Sequence, residues 1–193
     1  MRSLWLALLL ASAASAAHAG ILLEGKLEGR EVRVELGALV KDKAVVTVDG
    51  DRRVVPLNAP VPVAADPYRL TRWSAGPPVA GYGSSYNVLT LDQTICGEVL
   101  SAAWMEEFLA PAVKALALVQ GVDPRLAAKK REGCGAIPFA TYAYNGFPLM
   151  AGWRDEPVFV TERIRFDHPT PAELQPPNAG PGAAPAAPAA VKP

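Results

Sequence analysis

The sequence predicts an α+β fold, in which a hairpin-rich antiparallel β-sheet packs against one long kinked helix and one short helix, with one disulfide. Alternating apolar and charged residues fill residues 24–36 and recur in later runs, which is typical of half-buried strands. Apolar residues at helical spacing are concentrated in residues 100–119. The strand-like runs are grouped before and after this helical stretch, and that grouping favours an antiparallel sheet over a doubly wound one.

The first strands are predicted from alternation and from one strong turn signal. Residues 24–36 alternate, and residues 44–48 are rich in β-branched side chains. Asp49-Gly50 follows directly, and this dipeptide between two strand-like runs predicts a hairpin with a two-residue turn. Pro56 cannot donate to a ladder hydrogen bond, so we expect its strand to lie at a sheet edge or to end there.

The middle of the chain contains a loop with the composition of a recognition loop. Residues 68–73 and 87–91 are predicted strands, and the segment 76–86 between them is rich in Gly, Ser and Tyr. A plain connector between two halves of the sheet is the alternative interpretation. Residues 95–100 fit either a strand after a turn or the start of a helix, and Gly97 favours the strand.

A long helix is predicted from about residue 101, with Trp104 and Phe108 on its apolar stripe. Pro111 should kink or restart it, because proline lacks the N–H that the helix needs, and Gly121 should end it. The dipeptide Asp123-Pro124 is typical of a helix start and predicts a short helix to about residue 131.

The last predicted elements are strands. Asn145-Gly146 predicts a second hairpin, which joins residues 137–144 to residues 147–153. Residues 158–166 alternate clearly and form the final strand.

Both ends of the chain are predicted to lie outside the domain. Residues 1–19 have a basic start, a short apolar run and a small-x-small ending, which is typical of a signal peptide cleaved before Gly20. The apolar run is shorter than the roughly 20 residues of a spanning helix, so no transmembrane segment is expected after cleavage. Residues 169–193 are rich in Pro and Ala and are predicted to be a disordered tail. The single α+β domain is therefore predicted to cover residues 20–168.

The two cysteines and the charge balance restrict the function. In an exported chain, periplasmic or secreted, the pair Cys96 and Cys134 predicts one disulfide. The chain carries 19 basic and 19 acidic residues, and this balance argues against nucleic acid as a partner. No metal or cofactor motif is present, so neither group is expected. His168 is expected to be an exposed residue at a frayed boundary, which disfavours imidazole catalysis.

Aromatic residues and one arginine support a binding hypothesis, since Trp, Tyr and Arg dominate interface hot spots. The candidate binding residues are Arg72, Trp73, Tyr82, Tyr86, Tyr142, Tyr144 and Trp153. They predict a non-catalytic, exported accessory protein that binds through the loop 76–86. Its expected partner is another envelope or secreted protein, or a cell-wall component.

Two alternatives remain open. A secreted glycan hydrolase would need two carboxyl groups about 5–10 Å apart, with Glu98 and either Glu106 or Asp92 as candidates. A carrier of a small apolar ligand would need an enclosed pocket of roughly several hundred cubic ångströms between helix and sheet.

Overall fold

A computed structural model describes residues 19–62, 64, 67–153 and 155–176. The predicted signal peptide (except Ala19) and the predicted tail from residue 177 onward lie outside the described residues. The strands are β1 (Ala19–Leu27), β2 (Arg30–Leu36), β3 (Lys43–Val48), β4 (Asp51–Pro56), β5 (Arg69–Val79), β6 (Tyr82–Leu91), β7 (Thr94–Ala102), β8 (Lys130–Arg131), β9 (Gly135–Ala136), β10 (Phe147–Trp153) and β11 (Glu156–Pro169). One α-helix, α1 (Glu106–Val122), is present among the described residues.

Nine strands form one antiparallel sheet in the order β4-β3-β2-β1-β11-β10-β7-β6-β5, and β8 pairs with β9 in a small separate ladder. The last strand, β11, pairs with β1 at the centre of the large sheet. Strands β4 and β5 are consequently its two edges. The coarse prediction of an antiparallel sheet with one long helix is confirmed.

Tight turns join several neighbouring strands. Val48 pairs with Asp51 across Asp49-Gly50, and both turn residues have positive φ values of 47° and 89°. Two successive positive φ values match the twist of the flanking strands, which is why Asp-Gly is favoured there. The hairpin predicted at this dipeptide is therefore present.

Helix α1 packs on one face of the sheet, against β2, β3, β4 and β10, and we call this side the helix face. The buried side chains of α1 include Leu109, Leu116 and Val119. The helix continues through Pro111, but it begins later than predicted, because the segment up to Ala102 still belongs to β7. The strand assignment for residues 95–100 is thus confirmed.

The predicted disulfide is present. Cys96 and Cys134 are bonded, with their Cα atoms 5.6 Å apart, and both residues are buried. The bond joins β7 to the turn between β8 and β9. The hydroxyl of Tyr68 donates a hydrogen bond to the carbonyl of Cys134, so the residue before β5 is tied to the same turn.

Two local predictions differ from the structure. The predicted strand at 137–144 contains a 3₁₀ helix, Phe139–Ala143, so Asn145-Gly146 does not close a hairpin. Phe139 and Tyr142 are three residues apart and both buried, which suits the threefold repeat of a 3₁₀ helix. The short helix predicted after Asp123 is one 3₁₀ turn, Pro124–Leu126, because the chain then extends towards β8.

The C-terminal segment continues past the predicted boundary at residue 168. Strand β11 ends at Pro169, and a 3₁₀ turn, Ala172–Leu174, packs against β3. Leu174 is fully buried. The side of the sheet opposite the helix face is called the outer face. Leu22 and Val45 alternate with residues of the helix face and so point to the outer face, yet both are buried. The C-terminal segment therefore helps to cover the outer face.

Candidate functional site: an aromatic patch beside an open sheet edge

The predicted recognition loop 76–86 is the tip of a hairpin formed by β5 and β6. Val79 pairs with Tyr82 across Ala80-Gly81, whose φ values of 50° and 82° are both positive. This is the same turn geometry as at Asp49-Gly50, reached with alanine at the first position. The register shifts between Gly76 and Val79, where Pro77 and Pro78 interrupt regular pairing.

The hairpin tip folds back towards β11. The Tyr82 hydroxyl donates a hydrogen bond of 3.0 Å to the carbonyl of Ile164. Strands β7 and β10 lie between β6 and β11 in the sheet, and three strand spacings amount to about 14 Å. A tyrosine side chain is far shorter than that, so the contact requires the hairpin tip to curl over the sheet.

Four aromatic residues around this tip form a surface that we call the aromatic patch: Tyr82, Trp104, Phe108 and Phe166. The Tyr82 and Trp104 rings lie 6.2 Å apart, and the Phe108 and Phe166 rings meet edge to face at 6.3 Å. Trp104, Phe108 and Phe166 are 58%, 52% and 41% exposed. Large exposed apolar surfaces of this kind mark interaction sites on soluble proteins.

Sequence reasoning missed three members of the patch. The apolar spacing assigned Trp104 and Phe108 to one buried stripe with Ala112, Leu116 and Val119. The last three residues are buried as predicted, but at the start of the stripe Met105 and Leu109 are buried and the two aromatic residues are exposed. Met105 and Leu109 are four residues apart, as are Trp104 and Phe108, so helical spacing alone does not decide between the two pairs.

Strand β5 forms an open edge that adjoins the patch at Val79 and Tyr82. Trp73 is 74% exposed, and the ladder register shifts between Arg72 and Ser74, so Trp73 lies at a bulge. Arg69 and Arg72 are exposed and make no ion pair within the described residues. Two predicted binding residues, Arg72 and Trp73, are thus at the surface.

The other predicted binding residues are scattered. Tyr142 is almost fully buried in the core, and burial raises the pKa of its hydroxyl, so it presents no binding surface. Tyr86 is half-buried on β6. Tyr144 is exposed and Trp153 is half-buried, but no ring contact within the described residues joins either of them to the aromatic patch.

The three predicted catalytic carboxyls lie before, on and after β7. Asp92 precedes β7 and Glu106 follows it, and the nine residues of β7 separate them by roughly 27 Å. Glu98 lies on β7 between Gly97 and Val99, which face the core, so its side chain points to the outer face, away from α1 and Glu106. Glu98 and Glu106 therefore do not face a common cleft, as a pair of catalytic carboxyls would have to.

His168 is buried and not exposed, which corrects the sequence expectation. Its Nδ1 lies 3.1 Å from Nη2 of Arg165 and its Nε2 lies 3.1 Å from Oε2 of Glu35. A guanidinium only donates, so Nδ1 accepts from Arg165 and the Nε2 proton is donated to Glu35. Nη2 of Arg33 lies 3.3 Å from the same Nε2, which in this tautomer has no lone pair left to accept from it. Both ring nitrogens are engaged, which leaves this imidazole in a structural role. Its partner Glu35 lies 133 residues away in sequence, which local reasoning could not foresee.

Several cavities open at the surface of the described part of the chain, and three of them bear on the site. One of about 160 Å³ lies between α1 and the 3₁₀ helix Phe139–Ala143, and a polar one of about 480 Å³ lies over β1, β2, β3 and β11 on the outer face. The third, of about 300 Å³, reaches the aromatic patch, since Phe108 lines it together with Ile21 and Pro111. Among the described residues, every helix is too short or too polar to traverse a lipid bilayer.

The fold and this surface define a disulfide-bonded α+β domain with one curled hairpin and an aromatic patch at its tip. No protein family, curated protein or solved structure matches the chain.

Proposed function

We propose that this protein is an exported, non-catalytic accessory protein that binds another envelope or secreted protein through the hairpin β5–β6 and the aromatic patch. The observation that carries the proposal is the patch itself, where three aromatic side chains remain about half exposed beside Tyr82. A few residues dominate the binding energy of most protein interfaces, and Trp and Tyr are enriched among them.

Two further observations support the proposal. A buried disulfide suits an oxidising compartment outside the cytosol. The open edge of β5 places backbone N–H and C=O groups next to the patch, and a polypeptide can pair with such groups, whereas a wall glycan cannot form a strand ladder. A protein partner is therefore favoured over a cell-wall polymer.

The test is a pull-down with the chain from Gly20 to Pro193, compared with a variant carrying Trp104→Ala and Phe108→Ala. We expect the variant to lose the captured partner, because truncating hot-spot aromatics typically costs about 2 kcal/mol or more each. Val122→Ala is the matched control, since Val122 is an exposed apolar residue at the other end of α1. Circular dichroism should show the same fold in all three proteins.

A second variant, Tyr82→Ala with Tyr86→Ala, asks whether the hairpin itself contributes. Partners that survive both double substitutions unchanged would contradict the proposal.

A further inference from the structure

Within the described residues, no strand pairs with β5 on its outer side, although the carbonyl of Leu70 accepts a hydrogen bond of 2.9 Å from the side chain of Asn145. Residues 69–76 pair with β6 on the other side, from Arg69 with Thr90 to Gly76 with Ser84. Beyond Gly76, Pro77 and Pro78 have no N–H to donate, so the usable edge is about eight residues or roughly 26 Å long.

This edge lacks most of the features that natural proteins use to block strand addition. It carries no lysine, no acidic residue and, before Pro77, no proline. No other strand covers it within the described residues. Its one irregularity is the bulge at Trp73, which directs that side chain into solvent; bulges often re-aim side chains next to functional sites.

The edge is also basic. Arg69 and Arg72 are exposed and make no ion pair among the described residues, and neither β5 nor β6 contains an acidic residue. A strand that joins this edge would bring its own side chains within reach of both guanidinium groups, because cross-strand neighbours lie about 5 Å apart. Carboxylates on that strand would be favoured, and lysines or arginines would be repelled.

We infer that the β5 edge accepts an extended, acidic segment of a protein partner, which adds to the sheet as a tenth strand. The inference rests on the proposed function and specifies its partner: main-chain pairing provides affinity, and Arg69 and Arg72 select for acidic side chains. Trp73 packs against the added strand near the middle of the edge.

Arg69 and Arg72 are three residues apart on β5 and point to opposite faces of the sheet. The test therefore uses an acetylated and amidated peptide of eight residues in which adjacent pairs of Glu are separated by Val or Thr, so that carboxylates lie on both faces, added to the ¹⁵N-labelled chain from Gly20 to Pro193. We expect chemical-shift changes and slowed amide exchange confined to residues 69–76 and their neighbours. A peptide with Lys in place of Glu should bind at least about tenfold more weakly, since like charges then face each other.

Two controls separate strand addition from simple charge attraction. The acidic peptide with N-methyl groups on alternate residues keeps its charge but cannot form the ladder, so its binding should be lost. The double variant Arg69→Glu with Arg72→Glu should reverse the preference and favour the lysine peptide. Lys41→Glu with Lys130→Glu changes the net charge equally at exposed sites away from β5 and should leave binding unchanged.

Three results of the peptide titration would overturn the inference: shifts located elsewhere, equal binding of the N-methylated peptide, or no binding of the acidic peptide. Shifts at 69–76 that grow with protein concentration, without peptide, would mean that a second copy occupies the edge, and this too would overturn it. The proposed function is tested separately, by partner capture with the variant Trp104→Ala with Phe108→Ala. The β5 edge is unchanged in that variant, so the two proposals can fail independently.

Discussion

The two edges of the large sheet both carry arginines but use them differently. On β4, Arg52 lies 2.6 Å from Glu35 and also pairs with Glu173, and Arg53 lies 3.0 Å from Asp123. On β5, Arg69 and Arg72 have no ionic partner within the described residues. Arg52 and Arg53 are therefore held by ion pairs within the domain, whereas Arg69 and Arg72 are available for binding.

The arginines of β4 are ion-paired on both faces of the sheet. Successive side chains alternate, so Arg52 meets the outer-face cluster of Glu35 and Glu173 while Arg53 meets Asp123 at the end of α1. Hydrogen bonds from Arg125 hold the pKa of Asp123 at about 2; burial opposes this shift, and the charge of Arg53 assists it. Burial would raise the pKa of Glu35, but hydrogen bonds from Arg52 and His168 outweigh it and leave that pKa lowered.

The β5 end of the sheet is held covalently instead. The Cys96–Cys134 disulfide anchors β7, two strands in from the edge, and Tyr68 joins the start of β5 to the same turn. The two ends of the sheet should consequently lose their structure under different conditions, the β4 end at low pH and the β5 end when the disulfide is reduced.

The largest expected effect comes from removing the disulfide. Cys96→Ser with Cys134→Ser should lower the free energy of unfolding by about 3–4 kcal/mol, because the bond closes a loop with a sequence separation of 38. Urea unfolding measures the change. Wild-type protein treated with reductant should reproduce it, and a loss below about 1 kcal/mol would mean that the β5 end is held by packing alone.

The next effect is at the β4 end. Asp123→Ala should lower the free energy of unfolding by about 2–3 kcal/mol, since it removes a buried carboxylate from Arg53 and Arg125, both of which keep partial access to water. Asp167→Ala, at an exposed position on β11, is the matched control and should stay within about 0.5 kcal/mol. Equal effects of the two substitutions would show that the cluster contributes nothing specific.

Lowering the pH should unfold the β3–β4 end of the sheet before the β6–β7 end. A carboxyl whose pKa is lower in the folded state stabilises the fold above its unfolded pKa, and this stabilisation is lost as the pH falls through the folded value. For Asp123 the window lies between its ordinary value of 3.8 and about 2. Hydrogen exchange followed from pH 5 downward (about one unit per step) should show β3–β4 amides losing protection before β6–β7 amides. Asp123→Asn should make the amide protection of β3–β4 less dependent on pH. Simultaneous loss of protection in β3–β4 and β6–β7 would contradict the proposed difference between the two ends of the sheet.

The smallest expected effect on stability is at the open edge. Trp73→Ala should change the free energy of unfolding by less than about 0.5 kcal/mol, because the ring is 74% exposed. The same substitution should weaken binding of the acidic octapeptide in the titration described above. A large loss of stability with unchanged peptide binding would mean that Trp73 stabilises β5 and does not contact the peptide.

The sequence predicted the features that depend on a few residue types and not on the packed fold. Asp49-Gly50 specified its hairpin, and the even pair of cysteines specified the disulfide. His168 could not be placed from its neighbours, because its environment is made by Glu35 on a distant strand. Trp104 and Phe108 were misplaced for a related reason, since Met105 and Leu109 have the same spacing and only packing against the sheet decides which pair is buried.

The pairing of β11 with β1 also sets the order in which the fold can be completed. During synthesis β1 emerges first and remains without its central neighbour until the chain has been made to about residue 169. Before β11 is made, the strands of the large sheet can pair only as two separate sets, β1–β4 and the set of β5, β6, β7 and β10, each with an extra unpaired edge. Non-local pairing of this kind slows folding, so the newborn chain passes through a long interval in which its exposed strands need protection from aggregation.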